Sequence, residues 1–228
     1  MKIKICGITE VEHALVVQRA GADFIGLVFA QSTRRVSAER AQQIVQALAG
    51  LERRPAVAGV FVNSPVKEVN RVAAFFGLDW VQLSGDETWH YCKQIKRPVI
   101  KAVHVPTDMK AKDVIDDIAE GYRTMEPKRF MCLLDAKAGE AYGGTGKTFN
   151  WQLAKEVSEK YPVIVAGGLD PDNVKKLISD VHPWGVDVSS GVESDGKKDP
   201  EKITAFINAV RETEPMSGND RLLEGTIE

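Results

Sequence analysis

The sequence predicts a single-domain (β/α)8 barrel, and three observations carry that prediction. Eight short β-branched apolar runs recur along the chain, segments with a helical repeat of apolar residues separate them, and 228 residues is a normal length for one such barrel. Runs of four to seven residues are too short for a stable helix but suit strands buried on both faces. Alternation of strand and helix is the signature of parallel βαβ units. An open doubly wound sheet uses the same units, and it is the number of units at this length that favours closure. In a closed barrel the chemistry sits at the C-terminal ends of the strands, which directs attention there.

The elements follow in order. The first strand is IKIC (3–6), with Thr9 and Glu10 opening a helix whose Val11, Ala14 and Leu15 share a face. DFIGLVF (23–29) is the second strand; Ser37 then precedes a helix carrying Ala41, Ile44, Val45 and Leu48 on one side. After AVAGVFV (56–62), Ser64-Pro65 marks a stronger start for a helix bearing Val66, Val69, Val72, Ala73 and Phe76, since Pro fits the first helical position. Gly21, Gly50 and Gly77 fall where the first three helices should stop. WVQL (80–83), PVIKAV (98–103) and FMCLLD (130–135) are strands four to six, and KAKD (110–113) reads as a solvated helix face. PVIVAG (162–167) and GVDVSS (185–190) complete the set, with Asp170-Pro171 and Asp199-Pro200 as the last two helix starts. Residues 1–212 form the expected barrel, and 213–228 lack periodicity and read as a disordered C-terminal tail.

Composition narrows the partners. A chain 43% hydrophobic and 27% charged, with a formal charge of −2, has no global field to recruit nucleic acid or an anionic membrane. An anion site must be built locally. Cys6, Cys92 and Cys132 are odd in number and fit neither a disulfide framework nor a zinc site, and the four histidines are dispersed, so no metal is expected. With no signal-like opening and no run of 18 apolar residues, the expected setting is reducing and cytoplasmic.

Four strand ends stand out. The first delivers Cys6; a lone free Cys is more often a small buried hydrophobe than a catalyst. The sixth delivers Asp135 after an apolar run, where an unpaired buried charge would be costly; Cys132 in that strand reads as core. Gly167-Gly168 after the seventh, and Ser189-Ser190-Gly191 after the eighth, suit a phosphate, because glycines admit backbone N–H groups closely and hydroxyls add donors. GGTGKT (143–148) imitates the end of a Walker A loop, but that pattern needs Gly where Ala141 stands, and a cover or further phosphate cradle fits better. Arg34 and Arg35 follow the second strand, one positioned to reach the pocket and the other solvated.

Taken together, KICGIT, VQLSGDE, LLDAK followed by GGTGKTFNW, VIVAGGLDPDNV and GVDVSSGVES-DGKKD resemble the phosphoribosylanthranilate isomerase family of tryptophan biosynthesis, from residue 2 to about 207. The resemblance implies a (β/α)8 barrel that performs an Amadori rearrangement of N-(5-phosphoribosyl)anthranilate without a cofactor. It implies Asp135 as general acid opening the furanose ring, and Cys6 as general base at C2. Arg34 would pair with the anthranilate carboxylate. Gly144, Gly146, Gly167, Gly168, Asp187, Ser189, Ser190 and Gly191 would make up the rest of the substrate site, the phosphate cradle included. A phosphorylated small molecule is then the partner, and the assembly a monomer or homodimer. A thiol base needs a positive local field, which a helix N-terminus or Arg34 would supply.

Two departures stand out. Ser84 replaces the family's usual His, which removes a polar contact, so Ser84 is left out of the site; Thr33 replaces the usual Pro, which loosens the turn aiming Arg34. A related barrel isomerase of histidine synthesis looks to a carboxylate at the end of strand one, where this chain has Cys6. A non-catalytic phosphometabolite binder would keep the glycine loops without needing Cys6 and Asp135 together.

Overall fold

The computed structural model describes residues 1–106, 108–136 and 151–213. Gly144 and Gly146, and the expected tail apart from Thr213, lie outside the described residues. Eight parallel strands close into a barrel in sequence order: β1 (Lys2–Cys6), β2 (Phe24–Val28), β3 (Ala56–Phe61), β4 (Trp80–Leu83), β5 (Val99–Val105), β6 (Phe130–Ala136), β7 (Val163–Val165) and β8 (Gly185–Val188). β8 pairs back onto β1, with Lys4 opposite Asp187. Helices follow each strand: α1 (Val11–Ala20), α2 (Ala38–Ala49), α3 (Val66–Phe75), α4 (Trp89–Cys92), α5 (Ala111–Thr124), α6 (Trp151–Ser158), α7 (Val174–Val181) and α8 (Pro200–Arg211). A small antiparallel hairpin, β9 (Glu193–Ser194) with β10 (Lys197–Lys198), stands between β8 and α8 and was not expected from the apolar pattern.

Side chains alternate across each strand, so one set meets the helices and the other fills the barrel. Ile3 and Ile5 join the large outer core with Ile44, Leu48, Phe206 and Val210. Inside, Ala58, Ile100, Ala102, Leu133, Ile164 and Ala166 form one layer, and Cys6, Val28 and Val60 form another. Cys132 is buried in the outer core, as expected.

The helix starts differ in detail from expectation. Ser37 accepts from the Arg40 amide and caps α2, and Asp199 accepts from the amides of Glu201 and Lys202 ahead of Pro200. Ser64 does not cap α3: Pro65 holds the cap position and the Ser64 hydroxyl donates to the Val62 carbonyl. Asp170 closes a turn by accepting from the amides of Asp172 and Asn173, and α7 begins only at Val174. Gly21 ends α1 in the left-handed region, whereas Gly50 ends α2 at φ −94°.

Candidate active site

Strand ends β1, β2, β3, β4, β6, β7 and β8 border one cavity of about 550 Å³. Cys6 and Asp135 both line it, from strands three places apart around the ring. So do Arg34, Gly167, Gly168, Asp187, Ser189 and Ser190. Gly191 is not among the lining residues; a Cβ there would fall 1.8 Å from the Leu169 carbonyl oxygen, so it keeps the β7 and β8 loops in contact. Val28, Ala30, Val60 and Val62 give one wall an apolar surface, and the glycines and serines give another wall small polar groups.

The floor beneath Cys6 is ionic. Lys4, two residues earlier on the same inward face, donates to Asp187 at 2.9 Å, and both side chains are buried. Gly26, opposite Cys6 in the β1–β2 register, leaves the space these groups occupy: a Cβ there would lie 2.7 Å from the Cys6 sulfur and 3.1 Å from Lys4 Nζ. Burial pulls the Lys4 pKa down, but attraction to Asp187, with Cys6 adding, outweighs it and leaves Lys4 firmly charged. For Cys6 the order is burial first, pushing the thiol up, then Lys4 drawing it down, then Asp187 pushing it up again. The net shift is upward. Lys4, with a smaller contribution from Lys198, supplies the positive field near the thiol. Arg34, the expected source, also interacts with the Cys6 charge, as the smallest of the influences named on its own raised pKa.

Arg34 is instead engaged in an ion pair. Its Nε and Nη2 donate to the two carboxylate oxygens of Glu193 at 2.7 and 2.8 Å. Its stem passes over Gly7, where φ is +79° and a Cβ would lie 2.8 Å from Arg34 Cδ. The turn before it is tighter than Thr33 suggested, since the Ser32 hydroxyl accepts from the Arg34 amide and the Ser32 carbonyl from the Arg35 amide. Glu193 also accepts from Lys198 Nζ at 2.6 Å, and Lys198 donates to the Ser189 carbonyl at 2.8 Å. Burial lowers the Lys198 pKa, with Glu193 opposing. The Ser189 hydroxyl donates to the Cys6 carbonyl at 3.2 Å, so the two strand ends are tied together.

Around the phosphate-suited loops, Gly167 and Gly168 are successive left-handed residues at φ +91° and +66°. Asn173 braces them by donating to the Gly168 carbonyl at 2.8 Å. Ser84 lines the cavity after all, and its hydroxyl accepts from Gln82 Nε2 at 3.0 Å. Gln82 Oε1 is a buried acceptor with no hydrogen-bond partner among the described residues. Lys4, Gln82, Ser84, Glu193 and Lys198 were not anticipated. Their signal was faint, because each is a polar residue whose meaning depends on a partner across the barrel or loop.

Comparison with known proteins agrees with this geometry. The family model described as N-(5'phosphoribosyl)anthranilate (PRA) isomerase matches residues 3–209. The N-(5'-phosphoribosyl)anthranilate isomerase of Dehalococcoides mccartyi is 49% identical over 214 residues, spanning 94% of this chain and 97% of that protein. Among solved structures, phosphoribosyl anthranilate isomerase from Thermotoga maritima superposes with a TM-score of 0.79 at 40% identity, covering 93% of this chain and 99% of that one. A phosphoribosyl anthranilate isomerase in complex with reduced 1-(o-carboxyphenylamino)-1-deoxyribulose 5-phosphate does so at 0.76 and 36%, with the same coverage. With a match of this extent in both sequence and fold, the chain belongs to the N-(5'-phosphoribosyl)anthranilate isomerase family.

Proposed function

We propose that this chain isomerises N-(5'-phosphoribosyl)anthranilate to 1-(2-carboxyphenylamino)-1-deoxyribulose 5-phosphate in the cytoplasm, with Asp135 as general acid and Cys6 as general base. The observation that carries the assignment is that a carboxyl from β6 and a thiol from β1 border the same cavity. Asp135 gives a proton to the furanose ring oxygen, the ring opens, and the anthranilate nitrogen becomes a Schiff base. Cys6 then removes the proton from C2, and the electrons pass to that nitrogen to give an enolamine. Tautomerisation of the enolamine yields the ketone. The Schiff-base nitrogen is itself the electron sink, so the route calls for no cofactor.

The walls suit the two ends of such a substrate. The valine-lined side suits an aromatic ring, and Arg34, which also lines the cavity, offers a cation for the ring's carboxylate. The Gly167–Gly168 and Ser189–Ser190 backbones match the phosphate. Lys4 favours a thiolate in a site whose burial opposes it. Each proton transfer of this kind is typically worth about 10²–10⁴-fold.

The test is turnover of the fluorescent substrate by purified protein. Wild type should convert it, whereas Cys6→Ser and Asp135→Asn should each lower kcat by at least about two orders of magnitude with an unchanged far-UV spectrum. Near-normal turnover in either variant overturns that residue's role.

A further inference from the structure

The Arg34–Glu193 pair raises a question of geometry, because a cation meant for a substrate carboxylate is already held by a protein carboxylate. A guanidinium has five N–H donors arranged along separate edges. Glu193 takes the side edge, Nε with one Nη2 hydrogen. The end edge, one Nη1 hydrogen with the second Nη2 hydrogen, makes no hydrogen bond among the described residues and belongs to a side chain that lines the cavity. Two carboxylates can therefore bind one guanidinium at once, each bidentately.

Glu193 is itself clamped. Its side chain is 7% exposed, against 22% for Arg34. Lys198 donates to its Oε1, and Lys202 Nζ donates to its backbone carbonyl at 2.8 Å. The β9–β10 hairpin places Glu193 opposite Lys198. Lys198 in turn fastens the assembly to Ser189 at the cavity rim. Two cations share one anion, so the cluster keeps a net charge of +1 after Glu193 is counted.

We propose that Glu193 is a positioning residue: held by Lys198 and the hairpin, it fixes the plane of the Arg34 guanidinium so that its end edge receives the carboxylate on the substrate's aromatic ring. The inference rests on the reading of Arg34 as the carboxylate-binding residue. It assigns to this hairpin the aiming role that a stiffer residue at Thr33 would otherwise share. Glu193 touches no reacting atom, so its effect belongs in binding rather than in chemistry.

Glu193→Gln, which preserves shape and one hydrogen bond, is assayed with the natural substrate and with the N-phosphoribosyl aniline that lacks the carboxylate. The expected result is a KM raised about tenfold for the natural substrate, with kcat within a few-fold of wild type. The aniline analogue should show the same KM in both proteins, since the aimed contact is missing from it. A lowered KM for the natural substrate would mean that Glu193 merely competes with the substrate for Arg34, and would overturn the proposal. An unchanged KM, or an equal rise for both compounds, would overturn it as well. A wild-type protein that turns over neither compound would instead remove the isomerase reading beneath it. If the analogue binds wild type as tightly as the natural substrate does, Arg34 is not the carboxylate site, and the role of Glu193 falls with it.

Discussion

Cys6 stands where ionisation is ordinarily suppressed, buried above a buried carboxylate. The strongest influence drawing the thiol down is the Lys4 ammonium on the same strand face, held by Asp187 and given room by the bare Gly26. Lys4→Met should therefore raise the pKa of Cys6 further, measured as a shift of the iodoacetamide labelling profile to higher pH; an unmoved profile would contradict the role. Removing Lys4 alone strands a buried Asp187 and costs about 3–5 kcal/mol, so Lys4→Met/Asp187→Leu serves as the folded control. Cys6 and Asp135 stood out in the sequence as strand-end residues, but Cys6 alone read as a buried hydrophobe, and their pairing as base and acid came from the family resemblance. Lys4 did not stand out. In KIKIC it reads as an ordinary polar alternation, and its partner is 183 residues away. Such pairing is created by barrel closure and leaves no local trace.

At the scale of elements, period and punctuation were enough to find eight strands and eight helices, because buried parallel strands and amphipathic helices write their burial into neighbouring residues. The β9–β10 hairpin escaped, since two-residue strands have no period to read. Its ionic lock has a pH signature. Burial would push the Glu193 pKa up, but the hydrogen bonds and charges of Arg34 and Lys198 outweigh it and hold it below the ordinary carboxylate value. A folded value below the unfolded one gives stability that is complete above about pH 4.3 and is lost as pH falls through the folded value. The urea-unfolding difference between wild type and Glu193→Gln should thus be present at neutral pH and shrink in acid; a difference independent of pH would argue against the lock. Asp199→Ala, which uncaps α8, should cost about 0.5–2 kcal/mol in the same assay, and no measurable loss would show that the cap is dispensable.

For the whole molecule, closure between β8 and β1 is what brings the two halves of the site together: thiol and lysine from the first strand, aspartate and serines from the last. Among the described residues no helix is long and apolar enough to cross a membrane. The three thiols should report the architecture directly. Cys92, buried outside the barrel, is pushed up to about 12 chiefly by burial, and Cys132 is also driven up by burial. Only Cys6 borders the cavity. Iodoacetamide should therefore modify Cys6 first in the native protein, more slowly when inorganic phosphate or a product analogue is present; earlier labelling of Cys92 or Cys132 would contradict the placement.

The most direct measurement is a crystal structure of this protein with the reduced product analogue bound. The account predicts the phosphate on the Gly167–Gly168 and Ser189–Ser190 backbones and the aromatic carboxylate on the end edge of Arg34. It also predicts the Cys6 sulfur about 3–3.5 Å from the sugar's C2, with Asp135 on the oxygen that leaves the ring. A ligand seated with its sugar carbons beyond reach of that sulfur would contradict it.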